Sequence, residues 1–424
     1  MLTAISGINW GDEGKGRMVD LISEHYDVVV RYQGGNNAGH TVVNERGKFI
    51  LNLLPSGILR EEVVNVMGTG MVIDLDHLST EIAKLRSREV ALSPDNLKIS
   101  ERASICLPYH RKLDNLEEDR LGKNAYGSTR RGIAPCYSDK YLKKTLRMGD
   151  LLHLPDLKDR LKDTITQKNL LLEKVYGGEP EDFEELYGWL QCYAAEFAPY
   201  ICDTGLYLDS AAEKGKDILF EAQLGALRDV DFGIIPFTSS SNTIAAYAPI
   251  GAGVPGRRLD KSIGVTKAYS TCVGEGPFVA EWQGEDAEKL RTEGNEFGAA
   301  TGRPRRVGGF DVVASRYGCR MQGATEVVLT MLDVLSYLDE IPICTAYTID
   351  GNPTMDFPYG AQLDRARPVF KSVKGWGTDI SGIRKKEDLP RAARDYIENI
   401  ERVLETPVTM VSVGPGRDAY IEMT

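Results

Sequence analysis

The stretch Gly11-Asp12-Glu13-Gly14-Lys15-Gly16-Arg17 follows an apolar run at 2–8 and precedes a helix-like segment at 18–25. A buried strand, a glycine-rich turn and a helix N-terminus, in that order, belong to an α/β fold on a largely parallel sheet. They also make an anion site: glycines let backbone N–H groups converge on a phosphate, and the helix dipole favours negative charge. Lys15 adds a point charge suited to a β- or γ-phosphate. The spacing departs from G-x-x-x-x-G-K-[ST], since six residues separate Gly7 from Gly14 and Gly16 stands where Ser or Thr would hold magnesium. The loop is therefore a variant of the P-loop in which Asp12 is the natural metal ligand. A purely structural turn is the bland alternative, disfavoured by Asp, Glu and Lys packed among the glycines.

Further apolar runs at 27–31, 217–220, 326–330, 343–349 and 408–413 predict buried parallel strands of a large central sheet. The segment 387–405 carries Leu389, Ala393, Ile397, Ile400 and Leu404 on one face, with Pro390 in its first turn, and predicts an amphipathic helix. Residues 100–200 read as a helical subdomain inserted into one elaborate domain spanning 1–424. No Ser/Gly linker sets that segment apart.

A net charge of −11 argues against broad attraction to nucleic acid or an anionic membrane. The seven cysteines are scattered and never paired as C-x-x-C, which suits reduced thiols in the cytoplasm. The first residues lack a basic leader, and no apolar run reaches 18 residues, so neither export nor a membrane span is expected.

One strand later comes a second polar turn, Gln33-Gly34-Gly35-Asn36-Asn37-Ala38-Gly39-His40-Thr41. His40 could donate to a phosphate oxygen, although one histidine among five is more often structural. Taken with the first loop, with Pro55-Ser56-Gly57-Ile58-Leu59, Lys267-Ala268-Tyr269-Ser270-Thr271, Asn295-Glu296-Phe297-Gly298-Ala299 and Thr301-Gly302-Arg303-Pro304-Arg305-Arg306, the chain resembles adenylosuccinate synthetases over essentially its whole length.

The resemblance implies a homodimeric ligase that joins L-aspartate to IMP with GTP and Mg2+. Asp12 would take the N1 proton of the purine while His40 assists transfer of the γ-phosphate to O6. Lys15 and Gln223 complete the implied catalytic set. Mg2+ would sit on Asp12 and the Gly39 carbonyl. GTP would lie on residues 11–17, on Gly39, His40 and Thr41, and on Arg305. Its base would be held by Met331, Leu332 and Asp333 together with Ser412, Val413 and Gly414. IMP would share Asp12, Glu13, Gly14 and Lys15 with Asn37, Ala38, Gly39 and His40. It would also meet Thr129, Gln223, Leu224, Ser239 and Arg303, and Lys143 from the neighbouring subunit. The loop Ala299, Ala300, Thr301, Gly302, Arg303 and Arg305 would grip aspartate, because paired guanidiniums suit two carboxylates.

The chain departs from the family at several of these places. Met331 replaces a lysine, Lys143 an arginine, Ala300 a threonine and Phe232 a histidine. In Phe220-Glu221-Ala222-Gln223-Leu224-Gly225, Leu224 occupies the position of a glutamine that contacts O6, unless a local shift restores Gln223. Two alternatives follow: a ligase of the same fold for another purine or amino acid, and a GTP-binding protein without ligase activity.

Overall fold

The computed structural model describes residues 1–44, 46–297, 302 and 304–423. A ten-stranded sheet forms its centre. In chain order the strands are β1 (Leu2–Gly7), β2 (Val28–Arg31), β3 (Val64–Met67), β4 (Leu97–Ser100), β5 (Ile201–Cys202), β6 (Ile218–Gly225), β7 (Lys261–Lys267), β8 (Glu326–Thr330), β9 (Val408–Ser412) and β10 (Tyr420–Glu422). Their spatial order is β10-β9-β8-β7-β1-β6-β2-β3-β4-β5. Every pairing is parallel except that of β9 with β10. β1, at the middle, is buried at all six positions, and its run is apolar apart from the small polar residues Thr3 and Ser6.

The expected strands at 2–8, 27–31, 217–220, 326–330 and 408–413 all lie in this sheet. The run at 343–349 does not. It belongs to Glu340–Ile349, which pairs antiparallel with Asn352–Thr354 and Arg367–Lys374 in a separate four-stranded sheet. The tight turn between the first two carries Asp350 and Gly351 at φ 51° and 82°. An Asp-Gly pair in that conformation is a hairpin signal. Here it outweighs the apolar content of the run.

The sequence-predicted amphipathic helix is shorter than expected. Helix Arg391–Leu404 buries Ala393, Tyr396, Ile397, Ile400 and Leu404, while Leu389 is buried ahead of it and Pro390 is its N-cap. A proline that lacks an N–H belongs at such a start. Within 100–200 the chain forms helices α1 (Pro108–Leu121), α2 (Ile133–Tyr141), α3 (Lys158–Lys174) and α4 (Phe183–Phe197). Leu161, Ile165, Leu172, Leu186, Leu190 and Phe197 pack in one apolar cluster with Leu75, Leu97 and Ile99. That cluster anchors the helices to the β3–β4 side of the sheet, at about 1.5–3 kcal/mol for each fully buried Leu or Ile.

Candidate active site at the strand ends

The C-terminal ends of β1, β2, β6, β7, β8 and β9 bring most of the described site residues together. β1 leads into a loop that runs through left-handed Gly11 (φ 106°), Asp12 (φ 59°) and Gly14 (φ 87°) before helix Lys15–Ile22 begins. The first-turn N–H groups of that helix have no intrahelical acceptor and suit an anion. Glu13 folds the loop: its Oε1 accepts from Asn9 N (3.1 Å) and Gly11 N (2.9 Å), and its Oε2 accepts from Lys15 Nζ (2.5 Å). Both members of that ion pair are only 3% exposed. Gly11 N, one of the backbone donors expected to face phosphate, is thus committed to Glu13. Thr330 Oγ1, at the end of β8, donates to the Glu13 carbonyl (2.7 Å) and ties the loop across the sheet.

The second turn continues from β2. A Cβ on Gly16 would collide with His40, so the glycine is what allows the first helix to lie against the imidazole. His40 Nδ1 makes a short hydrogen bond to Glu221 Oε1. Glu221, fully buried on β6, also accepts from Ser56 N (2.8 Å) and Ser56 Oγ (2.6 Å). Burial lowers the His40 pKa, and the opposing pull of Glu221 does not cancel it. Glu221 itself stays below the usual carboxylate range, because His40, Arg31 and Ser56 outweigh the cost of its burial. That direction favours the neutral imidazole, and the tautomer that donates Nδ1–H to Glu221 leaves the Nε2 lone pair for another group.

A register shift in β6 sets where Gln223 and Leu224 point. Ile5 pairs with Glu221 and Gly7 with Gly225, so four steps on β6 oppose two on β1. The bulge leaves Leu224 left-handed at φ 63°, beside Gly11, and turns Gln223 into the second turn. Gln223 Nε2 donates to Gly35 O (3.0 Å) and Ala38 O (3.4 Å), and its Oε1 accepts from Gly35 N (3.1 Å). Gln223 is thus a brace of the turn that carries Asn37, Ala38, Gly39, His40 and Thr41. Ser239 joins the same network: its hydroxyl meets Ser241 Oγ (3.1 Å), Ser241 Oγ donates to Gln33 Oε1 (2.8 Å), and Gln33 Nε2 donates to Gln223 O (2.7 Å).

Asp12 is partly exposed, with the Arg305 Nε 3.2 Å from its Oδ2. Arg305 Nη1 donates to Glu296 Oε2 (2.7 Å), and Glu296 Oε1 accepts from Lys267 Nζ (2.7 Å) and Tyr269 OH (2.5 Å). Burial disfavours the Arg305 charge, but Asp12 and Glu296 outweigh it and hold the guanidinium above its usual range. Burial lowers the Lys267 pKa despite Glu296. Of the expected aspartate loop, Ala299, Ala300, Thr301 and Arg303 lie outside the described residues, and Gly302 is exposed. The loop's ends meet through an antiparallel bridge between Phe297 and Pro304.

The expected base-binding residues also converge. Leu332 N donates to Ser412 O (3.1 Å), joining the β8 and β9 ends. Arg17 donates to Ser412 Oγ (2.6 Å), Gly416 O (2.6 Å) and Ala419 O (3.0 Å). Ser412 Oγ in turn lies 3.4 Å from the Gly414 carbonyl, and Val413 is buried. Burial raises the Asp333 pKa, with Arg17 pulling the other way. Met331, left-handed at φ 59°, accepts from Tyr269 OH through its sulfur (3.5 Å).

Two expected contacts stand apart. Thr129 is exposed on the loop between α1 and α2, whose Gly127 lies against Gly274 and Glu275. Lys143 is exposed just past α2 (φ 63°), next to exposed Tyr141 and Leu142. Glu221, Glu296, Lys267 and Gln33 were not singled out as site residues from the sequence. A lone carboxylate inside the apolar run 218–222 was the available signal for Glu221.

A family model described as adenylosuccinate synthetase matches residues 4–421. A curated adenylosuccinate synthetase of Desulfitobacterium hafniense is 44% identical over 416 residues, covering 98% of this chain and 97% of the relative. One from Carboxydothermus hydrogenoformans is 45% identical, with the same coverage. The fully ligated adenylosuccinate synthetase of Plasmodium falciparum superposes with TM-score 0.93 at 33% identity, covering 100% of this chain and 99% of that one. A cyanophage S-2L succinoaminodeoxyadenylate synthetase shares the fold at TM-score 0.60 and 19% identity, over 99% of this chain and 95% of that one.

Proposed function

This chain belongs to the adenylosuccinate synthetase family, and on that premise we propose which of its residues carry each step of the reaction. The enzyme joins L-aspartate to IMP at the expense of GTP, in purine nucleotide synthesis. Asp12 takes the N1 proton of IMP, so that O6 attacks the γ-phosphorus and GDP leaves. The amine of aspartate then displaces phosphate at C6. The observation that carries this reading is the contact of Gly16 with His40, which sets the imidazole against the loop that bears Asp12 and Lys15.

With Nδ1–H held by Glu221, the Nε2 of His40 meets the γ-phosphate. A phosphate dianion there draws a proton onto Nε2, and the resulting imidazolium stabilises charge during transfer. Glu13 fixes Lys15 for the same phosphates. Gln223 acts as a positioning residue for the turn, and Leu224 forms an apolar wall beside Gly11. Arg305, on the Glu296–Lys267 platform, binds an aspartate carboxylate together with Arg303. Asp333 accepts from guanine, at about 1.5–3 kcal/mol per bond to a charged group.

Asp12 offers a partly exposed carboxylate, and Gly39 immediately precedes His40. Hard oxygen donors of that kind fit Mg2+, which would neutralise β- and γ-phosphate charge. Exposed Tyr141 and Leu142 beside Lys143 support a homodimer in which Lys143 reaches the partner's IMP phosphate. We further assign the chain to one domain, with 100–200 as a helical subdomain, and to the cytoplasm. Among the described residues no helix is long and apolar enough to cross a membrane.

Purine absorbance with IMP, aspartate and GTP tests the reading. Phosphate release that depends on both IMP and aspartate supports it. Turnover only with another purine or amino acid, or GTP binding without turnover, contradicts it.

A further inference from the structure

Away from the strand ends, Cys106, His110 and Cys136 bring two sulfurs and an imidazole nitrogen within 4.8 Å of one another, all three residues buried. Cys106 directly follows strand Ser104–Ile105, His110 lies in the first turn of α1, and Cys136 lies in the first turn of α2. We propose that these three side chains form a binding site for a thiophilic d10 cation of the zinc class. Two thiols and an imidazole are the donor set such an ion prefers over magnesium or calcium.

What lifts the cluster above three small buried residues is the surroundings of His110. Its Nε2 donates to Asp139 Oδ2 (3.0 Å), and Asp139 is held by Tyr109 OH (2.8 Å) and by a short contact from Lys168 Nζ. A carboxylate that fixes one imidazole nitrogen and leaves the other as a lone-pair donor is the outer support that metal-bound histidines use. The other nitrogen, Nδ1, carries the lone pair and accepts from Leu107 N (2.9 Å) in the metal-free chain. The cation takes the place of that backbone donor. The Arg131 carbonyl, 3.4 Å from the Cys106 sulfur, supplies the fourth ligand, an oxygen. Coordination releases both thiol protons, so a dication and two thiolates leave the buried site uncharged.

Exposed Arg131, whose carbonyl contacts the Cys106 sulfur, marks the side from which an ion would enter. Occupancy joins the start of α1 to α2, and α2 carries Tyr137, whose hydroxyl accepts from Gly34 N (3.0 Å) and donates to Gly70 O (2.7 Å). The clip therefore stiffens the support of the second turn without touching the reacting groups.

The test titrates the chelator-treated full chain with Co2+ as a spectroscopic probe and Zn2+ as competitor. The expected result is one equivalent of thiolate-to-cobalt charge-transfer absorption, displaced by one equivalent of Zn2+, with a higher thermal midpoint in Zn2+. Cys106→Ala and Cys136→Ala should each remove the absorption while keeping the circular dichroism spectrum, and Cys→Ser versions replace either one that does not fold. No charge-transfer band in the parent chain overturns the proposal. So does a band that survives both cysteine changes, or loss of two thiols to a disulfide in air without cobalt uptake.

Discussion

Two corners of the active-site face are built on different terms. At the ends of β1, β2 and β6 two buried carboxylates hold site residues before any substrate arrives: Glu13 holds Lys15 and Glu221 holds His40. At the ends of β8 and β9, Arg17 is held by a hydroxyl and two backbone carbonyls, and Asp333 is half-buried. Charges that must stabilise a transition state gain from being preorganised in a dry site. The base pocket proposed at the second corner needs only shape and one well-placed carboxylate, so a change such as Met331 should be tolerated there. The contrast teaches that substitutions should cost turnover at the first corner and binding at the second.

The sharpest break would come from Asp12→Asn. It should lower kcat by about 10²–10⁴-fold, the usual worth of a positioned general base, with GTP binding retained in an equilibrium assay. Near-normal turnover would remove Asp12 from that role. Glu221→Gln should lower kcat by about ten- to a hundredfold, matching about 1.5–3 kcal/mol for a hydrogen bond to a charged group, with little change in KM for GTP. Asp333→Asn should show the opposite split in steady-state kinetics, raising KM for GTP by about tenfold or more while kcat holds. Met331→Lys, at the tolerant corner, should change the GTP KM by less than about fivefold, since a partly exposed charge contributes about 0–1 kcal/mol.

The smallest effect concerns pH. His40 has a folded-state pKa below its ordinary 6.5, so the folded chain binds fewer protons there than the unfolded one. Its contribution to stability is present above pH 6.5 and is lost as pH falls from there through the folded value. Thermal midpoints of the parent and of His40→Asn should therefore converge on acidification below pH 6.5. Parallel profiles would contradict the lowered pKa.

Local chemistry made both glycine-rich turns legible in the sequence. A strand followed by Gly, Asp, Glu and Lys has few uses, and the structure places both turns side by side. The bulge at Gln223 and Leu224 was not legible, because it depends on how β6 registers against β1. Glu221 was visible only as a charge in an apolar run; its partner His40 lies 181 positions earlier in the chain. The Arg305–Glu296–Lys267 platform joins the end of β7 to a later loop, a pairing that no local pattern encodes. The run at 343–349 reads as a central strand on its apolar content alone, whereas the Asp350-Gly351 pair that follows it decides its place in a hairpin.

The central claim is that Asp12 and His40 act on opposite sides of the transferred phosphoryl group. A crystal structure with IMP and a non-hydrolysable GTP analogue tests it most directly. The account predicts the Asp12 carboxylate within hydrogen-bond reach of purine N1 and His40 Nε2 at the γ-phosphate, with Nδ1 still on Glu221. A purine bound with Asp12 turned away from its ring, or a γ-phosphate beyond the reach of His40, would contradict it.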